Sequence, residues 1–233
     1  MQLYYVHTLT PNRAEGDDVE AKHLNKVMRK SVGDLAFITS GNGQLWQAEI
    51  LQLSRSSVVF KPLKKVREEK VRSKLAIAIA PTKRASRVED FLEKAVELGL
   101  SDCHLIKTSR TLRKDFKTKR ISRLVISVIK QCLRLQLPSI HEMIAFDEFL
   151  KNASDYKNKY IGKIEGDSPA LINVDCTDNT IVLIGPEGDF TDEEYDLADK
   201  AGFRAVSLSD ARLRTETAAL MAVATIQDKR RLK

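Results

Sequence analysis

Apolar and polar positions alternate along this chain with two different periods, and the change between them divides it. The clearest stretch runs from Ile181 to Leu220. Four apolar residues, Ile181 to Ile184, stop at Gly185-Pro186-Glu187-Gly188, as a strand entering a tight loop does. Thr191 then opens a helix with Glu194 three places on, the pattern of a capping box. A second short run, Ala205-Val206-Ser207-Leu208, stops at a polar loop, and Thr215 or Thr217 begins the last helix. Both loops follow strands, so they share the carboxyl edge of a sheet, where open α/β sheets bind ligands.

From the start of the chain, LYYVHTL (3 to 9) reads as a strand ended by Pro11-Asn12. Glu20 to Arg29 carries Leu24, Val27 and Met28 at helical spacing. LAFITSG, QLWQAEILQL and SVVFKPL follow, separated by Gly, Asn and Ser turns. Short strands joined this way predict a small β-barrel of about 70 residues. Lys64 to Lys74 is almost free of apolar residues and reads as a linker, which puts a domain boundary near Val71. Beyond it LAIAIAP is a continuous apolar strand of the kind buried on both faces. Ser86 to Leu98 is an amphipathic helix stopped by Gly99, CHLIKT a strand, and Lys119 to Leu135 a long helix ended by Pro138. SIHEMI, FDEFLKN and KYIGKIE continue the alternation, which predicts an α/β domain with a mostly parallel sheet over residues 72–233.

Composition adds less. The 233 residues carry 39 Lys plus Arg against 32 Asp plus Glu, a net charge of +7, which favours a polyanionic partner. No apolar run reaches the roughly 20 residues needed to span a bilayer. The amino terminus also lacks the pattern of a secretory leader, so a soluble cytoplasmic protein with no membrane partner is expected. Cys103, Cys132 and Cys176 are too scattered for a disulfide framework, and His7, His23, His104 and His141 show no ligand spacing, so no metal is expected.

Three stretches carry candidate chemistry. The Gly185–Gly188 loop suits close backbone approach by a ligand, because glycine lacks the Cβ that would block it; it also fits a plain sharp connection. In the second loop, helix capping explains Thr215, Thr217 and Glu216, but not Arg212 and Arg214, since cations are disfavoured at a helix amino end. Arg214 is therefore the charge placed for function. Lys107 to Arg123 concentrates Lys107, Arg110, Arg113, Lys114, Lys117, Lys119, Arg120 and Arg123 against Asp115 alone, either a solvated helix face or a polyanion contact. Tyr4, Tyr5, Phe37 and Trp46 are core residues or base-stacking ones.

IGPEGDFTDEE followed by LRTETAAL resembles the two cofactor-loop motifs of the SPOUT-class ribosomal RNA (uracil-N3)-methyltransferases, the RsmE family. HLNKVMR (23 to 29), EDFLEKAVELG (89 to 99) and the pair Gln131 and Arg134 extend the resemblance over nearly the whole chain. It implies a PUA-like RNA-binding β-barrel over 1–71 and a SPOUT trefoil-knot domain over 72–233, with helices on both faces of its sheet. It also implies S-adenosylmethionine as methyl donor, a homodimer with the site at its interface, and a uridine of 16S rRNA or the 30S subunit as substrate. The cofactor is implied to lie against Leu183, Gly185, Pro186, Glu187 and Gly188 in one loop, and against Leu208, Ser209, Leu213, Thr215, Thr217 and Ala218 around the other. Arg214 and Glu216 are the implied catalytic pair, Arg214 stabilising charge on the uracil and Glu216 accepting its proton or holding Arg214. His23, Arg29, Arg84, Arg87, Arg110, Gln131 and Arg134 are implied on the RNA side. The sequence departs from the pattern at Lys130, where many members carry Glu, and at Ser209, where many carry Gly. The resemblance leaves room for another RNA target, such as a ribose 2′-OH, or for a non-catalytic RNA-binding factor.

Overall fold

The computed structural model describes residues 1–70, 73–113, 116, 118–164 and 166–232, without side chains at 118 and 119. Val71, the expected boundary, and Lys114, Asp115 and Lys117 of the basic run lie outside the described residues. The chain divides into two compact units, one of Met1–Val71 with Ile126–Leu137, the other of Arg72–Val125 with Pro138–Lys233. Residues 126–137, placed by the sequence reading in the second domain, thus group with the first.

The first unit is a six-stranded mixed sheet. Its strands are β1 (Leu3–Tyr5), β2 (Thr8–Leu9), β3 (Ala14–Gly16), β4 (Leu35–Thr39), β5 (Gln44–Leu53) and β6 (Val58–Glu68), in the order β1-β4-β5-β6-β3-β2. Among the described residues of this sheet only β1 and β4 pair in parallel. One core cluster collects Tyr4 and Val6 from one end of that order and Ala14 from the other, with Ile38, Ile50 and Phe60 between, so the sheet wraps round its core as a half-barrel. The stretch from Lys64 expected as a linker is mostly strand: β6 continues to Glu68, pairing Lys64 with Gln47 and Glu68 with Gln44. Its side chains there are exposed, which is why composition reads as linker while the backbone still completes a ladder.

The expected helix of Glu20 to Arg29 starts earlier and changes pitch. Asp17 caps α1 (Asp18–Lys22) by accepting from the amides of Val19 and Glu20, and the chain continues as a π-helical turn, His23–Val27, closed by Met28 N to His23 O at 3.0 Å. Arg29 then leaves with φ 52°. Glu20 is 3% exposed and forms an ion pair with Lys130, itself 14% exposed, so the departure at Lys130 supplies the charge that lets Glu20 be buried.

The second unit is an all-parallel sheet. Its strands are β7 (Leu75–Ile79), β8 (Asp102–Lys107), β9 (Ser139–Ala145), β10 (Asn158–Gly162), β11 (Thr180–Ile184) and β12 (Arg204–Val206), in the order β12-β10-β11-β7-β8-β9. Every residue of β7 and β11 is buried, as central strands covered on both faces must be. One face packs on α4 (Phe146–Asn152) and α5 (Asp192–Lys200) through Phe146, Phe149 and Ala198. The other carries α6 (Thr215–Arg231), which touches β7, β11 and α2 (Ala85–Leu98). Gly99 ends α2 with φ 103°. The long helix α3 (Thr118–Cys132) stops before the Leu135 expected from sequence, because Leu133 takes the left-handed conformation, φ 58°, well ahead of Pro138. At the amino end of β8, burial and the neighbouring charge of His141 push the His104 imidazole down to about 4. Among the described residues no helix is long and apolar enough to cross a membrane.

Replacing Lys130 with Met leaves the buried Glu20 carboxylate unpaired and is expected to cost the first unit about 3 kcal/mol at neutral pH. Burial raises the Glu20 carboxyl, and the hydrogen bond and charge of Lys130 pull it back. A carboxyl raised in the folded state loses stability as pH rises from its unfolded value through its folded one. The deficit of Lys130→Met therefore shrinks on acidification. Urea titrations followed by Trp46, the chain's one tryptophan and part of the same unit, check this; a deficit constant with pH contradicts it.

Candidate functional site

The parallel register sets the carboxyl ends of β10, β11 and β12 side by side, and each runs into a loop. Between those loops lies a cavity of about 260 Å³. Gly162, Lys163 and Ile164 line it from the end of β10, Ile184, Gly185, Pro186, Glu187 and Asp189 from β11, and Leu208, Ser209, Ala211, Arg212, Leu213, Arg214, Thr215 and Ala218 from β12 and the start of α6.

The β11 loop is shaped by close contacts. A Cβ on Gly185 would stand 2.9 Å from Asp189 Oδ1 and 3.2 Å from the Phe190 ring. Neither can yield: Asp189 Oδ1 accepts from Phe190 N at 2.9 Å and Tyr195 Oη at 3.1 Å, and Phe190 is buried. Thr191 and Glu194 form the expected capping box at the start of α5. The same Glu194 carboxylate accepts from the amide and hydroxyl of Ser109, at 2.7 and 3.0 Å. Next to it Arg110 donates to the carbonyls of Gly188 and Phe190.

The β12 loop is braced locally. Ser207 Oγ donates to the carbonyl of Ser209, and Ser209 Oγ accepts from the amide of Ala211, both at 3.1 Å. The hydroxyl that distinguishes this chain at Ser209 therefore stabilises its own turn. Arg212 reaches across to the carbonyl of Glu187 at 3.2 Å, tying the two loops. The expected threonine cap on α6 is not formed: Arg214 occupies the N-cap in extended conformation and makes no side-chain cap. The first amides of α6 are therefore open to a ligand.

A family model described as an RNA methyltransferase domain matches residues 68–227, and one described as an RNA methyltransferase PUA domain matches 17–63. The ribosomal RNA small subunit methyltransferase E of Mesomycoplasma hyopneumoniae is 30% identical over 203 residues, covering 84% of this chain and 87% of the relative. The chain belongs to this methyltransferase E family. A probable rRNA methyltransferase from Porphyromonas gingivalis superposes with a TM-score of 0.90 at 32% identity, covering 100% of this chain and 99% of that one. The methyltransferase E of Neisseria gonorrhoeae, solved bound to S-adenosyl methionine, gives 0.85 at 27% identity, covering 98% and 97%.

Of the cofactor positions the family resemblance implies, Gly185, Pro186, Glu187, Leu208, Ser209, Leu213, Thr215 and Ala218 line the cavity. Leu183 is buried within β11, Gly188 faces Arg110 in a neighbouring hollow, and Thr217 is exposed on α6 away from the cavity. Arg214 lines the cavity, and among the described residues no group pairs with its guanidinium. Glu216 does not line it; its Oε1 lies 3.7 Å from Arg87, which also stands 3.8 Å from Glu187. Arg87 and Arg110, two methyltransferase E positions expected to face RNA, are thus engaged with the protein, while Arg84 is exposed at the N-cap of α2. His23 and Gln131 line a separate hollow of about 470 Å³ in the first unit, together with Lys130. Arg29 is exposed and Arg134 is half-buried beyond the end of α3. Sequence reasoning missed Gly162, Lys163 and Ile164. The signal was KYIGKIE itself, a third strand whose carboxyl end reaches the same sheet edge.

Gly185→Ala is expected to destabilise the second unit by about 1–3 kcal/mol, the usual cost of overpacking, and Gly202→Ala, next to open space but at φ +84°, by about 1 kcal/mol or more through backbone conformation alone. Thermal unfolding of both checks the difference in mechanism: only Gly185→Ala is also expected to change ligand affinity.

Proposed function

We propose that this chain transfers a methyl group from S-adenosylmethionine to N3 of a specific uridine in 16S rRNA. The single observation that carries the reading is the cavity at the ends of β10, β11 and β12, with one unpaired arginine, Arg214, on its wall. Its lining suits that donor. Ile164, Ile184, Leu208, Leu213 and Ala218 offer apolar surface to a flat base, while Gly162 keeps a Cβ away from Leu208 and Ile184. The uncapped amides of α6 suit a carboxylate. The related Neisseria protein, bound to S-adenosyl methionine, supports the assignment.

The donor supplies an electrophilic methyl group. The protein's tasks are to extrude and hold the uracil, align N3 with that methyl, and stabilise the negative charge that spreads onto the flanking carbonyls as the N3 proton passes to water. Arg214 suits the last task, being permanently charged and, among the described residues, engaged by no other side chain. Glu216, held beside Arg87 and outside the cavity lining, fits the role of ordering the first turn of α6 better than that of proton acceptor. The first unit, a PUA-like RNA-binding domain over 1–71 with residues 126–137 grouped onto it, takes up flanking RNA near His23 and Gln131. The same reading includes a trefoil knot, a homodimer with the site at its interface, and action in the cytoplasm on 16S rRNA or the 30S subunit.

Mass spectrometry of 16S rRNA nucleosides from a deletion strain tests this. N3-methyluridine is expected to disappear and to return with the wild-type gene. Arg214→Ala is expected to lose at least about 100-fold in turnover while still binding S-adenosylmethionine in calorimetry. A missing ribose methyl instead of a missing base methyl assigns another target, and wild-type turnover by Arg214→Ala removes it from the mechanism. Failure of the wild-type chain to bind the cofactor points to a non-catalytic RNA-binding role.

A further inference from the structure

One side chain that stands outside the cavity joins two of its walls. Tyr195, half-buried on α5, lines the neighbouring hollow with Lys163, Asp189 and Arg212. Its hydroxyl lies 3.1 Å from the carbonyl of Gly162, at the end of β10, and 3.1 Å from Asp189 Oδ1, in the loop after β11. A phenol has one proton to donate, so that proton is shared between a carbonyl and a carboxylate on different walls. Gly162 and Asp189 both line the cavity. The third wall is reached through β10: Lys163 N donates to Val206 O at 2.9 Å, and a Cβ on Gly162 would stand 3.3 Å from Leu208.

Regular structure fixes neither partner of this hydroxyl. Gly162 is the last residue of its strand. Asp189 is in the left-handed conformation, φ 62°, which disfavours any residue with a Cβ, and its Oδ1 is held by Phe190 N at 2.9 Å and by Tyr195. The tyrosine ring is itself fixed. It meets the buried Phe190 ring edge-on at 5.6 Å, and Lys163 Nζ lies 5.0 Å from its centroid, within cation–π reach. Lys163 follows Gly162 in the chain, so the same aromatic side chain grips this segment twice, by hydroxyl on the carbonyl and by ring face on the ammonium.

We propose, on the reading that this cavity takes S-adenosylmethionine, that Tyr195 is a positioning residue. Acting through Gly162 and Asp189, it sets the separation of the β10 and β11 walls and thereby the affinity for the methyl donor. Loss of the hydroxyl lets the walls part and weakens binding in the ground state and the transition state alike, so KM rises and kcat does not change.

Tyr195→Phe keeps the ring against Phe190 and Lys163 and removes only the hydroxyl. In the full chain, calorimetry with S-adenosylmethionine is expected to give a Kd about fivefold weaker than wild type, the effect of one lost hydrogen bond. Methyl transfer to 16S rRNA is expected to show KM for the donor raised by the same factor, with kcat unchanged. Tyr156→Phe is the comparison, because the Tyr156 hydroxyl bonds His104 Nε2 at 3.0 Å, at the amino end of β8, and lines no part of the cavity. It is expected to lower the thermal midpoint and leave the Kd unchanged. An unchanged Kd for Tyr195→Phe, or a fall in its kcat with KM unchanged, overturns the proposal and leaves Tyr195 a packing residue. An equal loss of affinity in Tyr156→Phe also overturns it, since affinity would then merely follow stability. Absence of binding by the wild-type chain is a separate failure, which removes S-adenosylmethionine from the cavity and the positioning role with it.

Discussion

One buried carboxylate holds the candidate site in shape. Glu194 is 6% exposed, and both of its oxygens are taken: Oε2 by the amide of Thr191 at 3.0 Å, Oε1 by the amide and hydroxyl of Ser109. Burying an ionised group is tolerable only when hydrogen bonds replace its water. Here the replacement does structural work at two distant points. The bond to Thr191 closes the capping box and fixes where α5 begins, which fixes the length of the Gly185–Phe190 loop. The bonds to Ser109 fasten that loop to the segment after β8, 85 residues away in sequence. Arg110, the next residue, grips the Gly188 and Phe190 carbonyls from the same side. A loop with no secondary structure of its own is thereby held in one conformation before any ligand arrives, and a preorganised wall lowers the ordering cost of binding.

The parts of this arrangement that were legible in the sequence are those that depend on neighbours along the chain. The capping box needs only Thr191 and Glu194, three places apart. The continuous apolar runs of β7 and β11 announce burial on both faces. The end of α2 needs only Gly99. What was not legible depends on register between strands or on contact between helices. Residues 126–137 look like any amphipathic helix end; nothing local reveals that Lys130 meets Glu20. The end of β6 looks like a linker because its side chains face water, although its backbone is paired. Asp102, His104 and His141 are scattered until β8 and β9 align. At the cavity, two of the three loops were legible as Gly/Pro and polar stops after apolar runs, while the third, after β10, carries no comparable punctuation beyond Gly162.

Charge shows the same division and sets one arginine apart. Counted along the chain, the run from Lys107 to Arg123 is a block of positive charge. In the folded protein Arg110 is bound to two carbonyls, Arg113 to the carbonyl of Lys83, and Arg120 to Glu89. Near the cavity Arg87 stands between Glu187 and Glu216, and Arg212 is bound to the Glu187 carbonyl. Each of these cations has an internal partner that would be left without one if it turned to a ligand. Arg214 has no such partner among the described residues, and it sits at the amino end of α6, where the helix dipole makes a cation unfavourable. An unpaired cation at an unfavourable position on a cavity wall is stabilised by water alone in the ligand-free protein. Its natural complement is negative charge in the cavity, and charge that develops only as a methyl group is transferred to RNA meets it only as the reaction proceeds. An interaction that strengthens as the reaction proceeds lowers the barrier, whereas one present equally in the ground state does not.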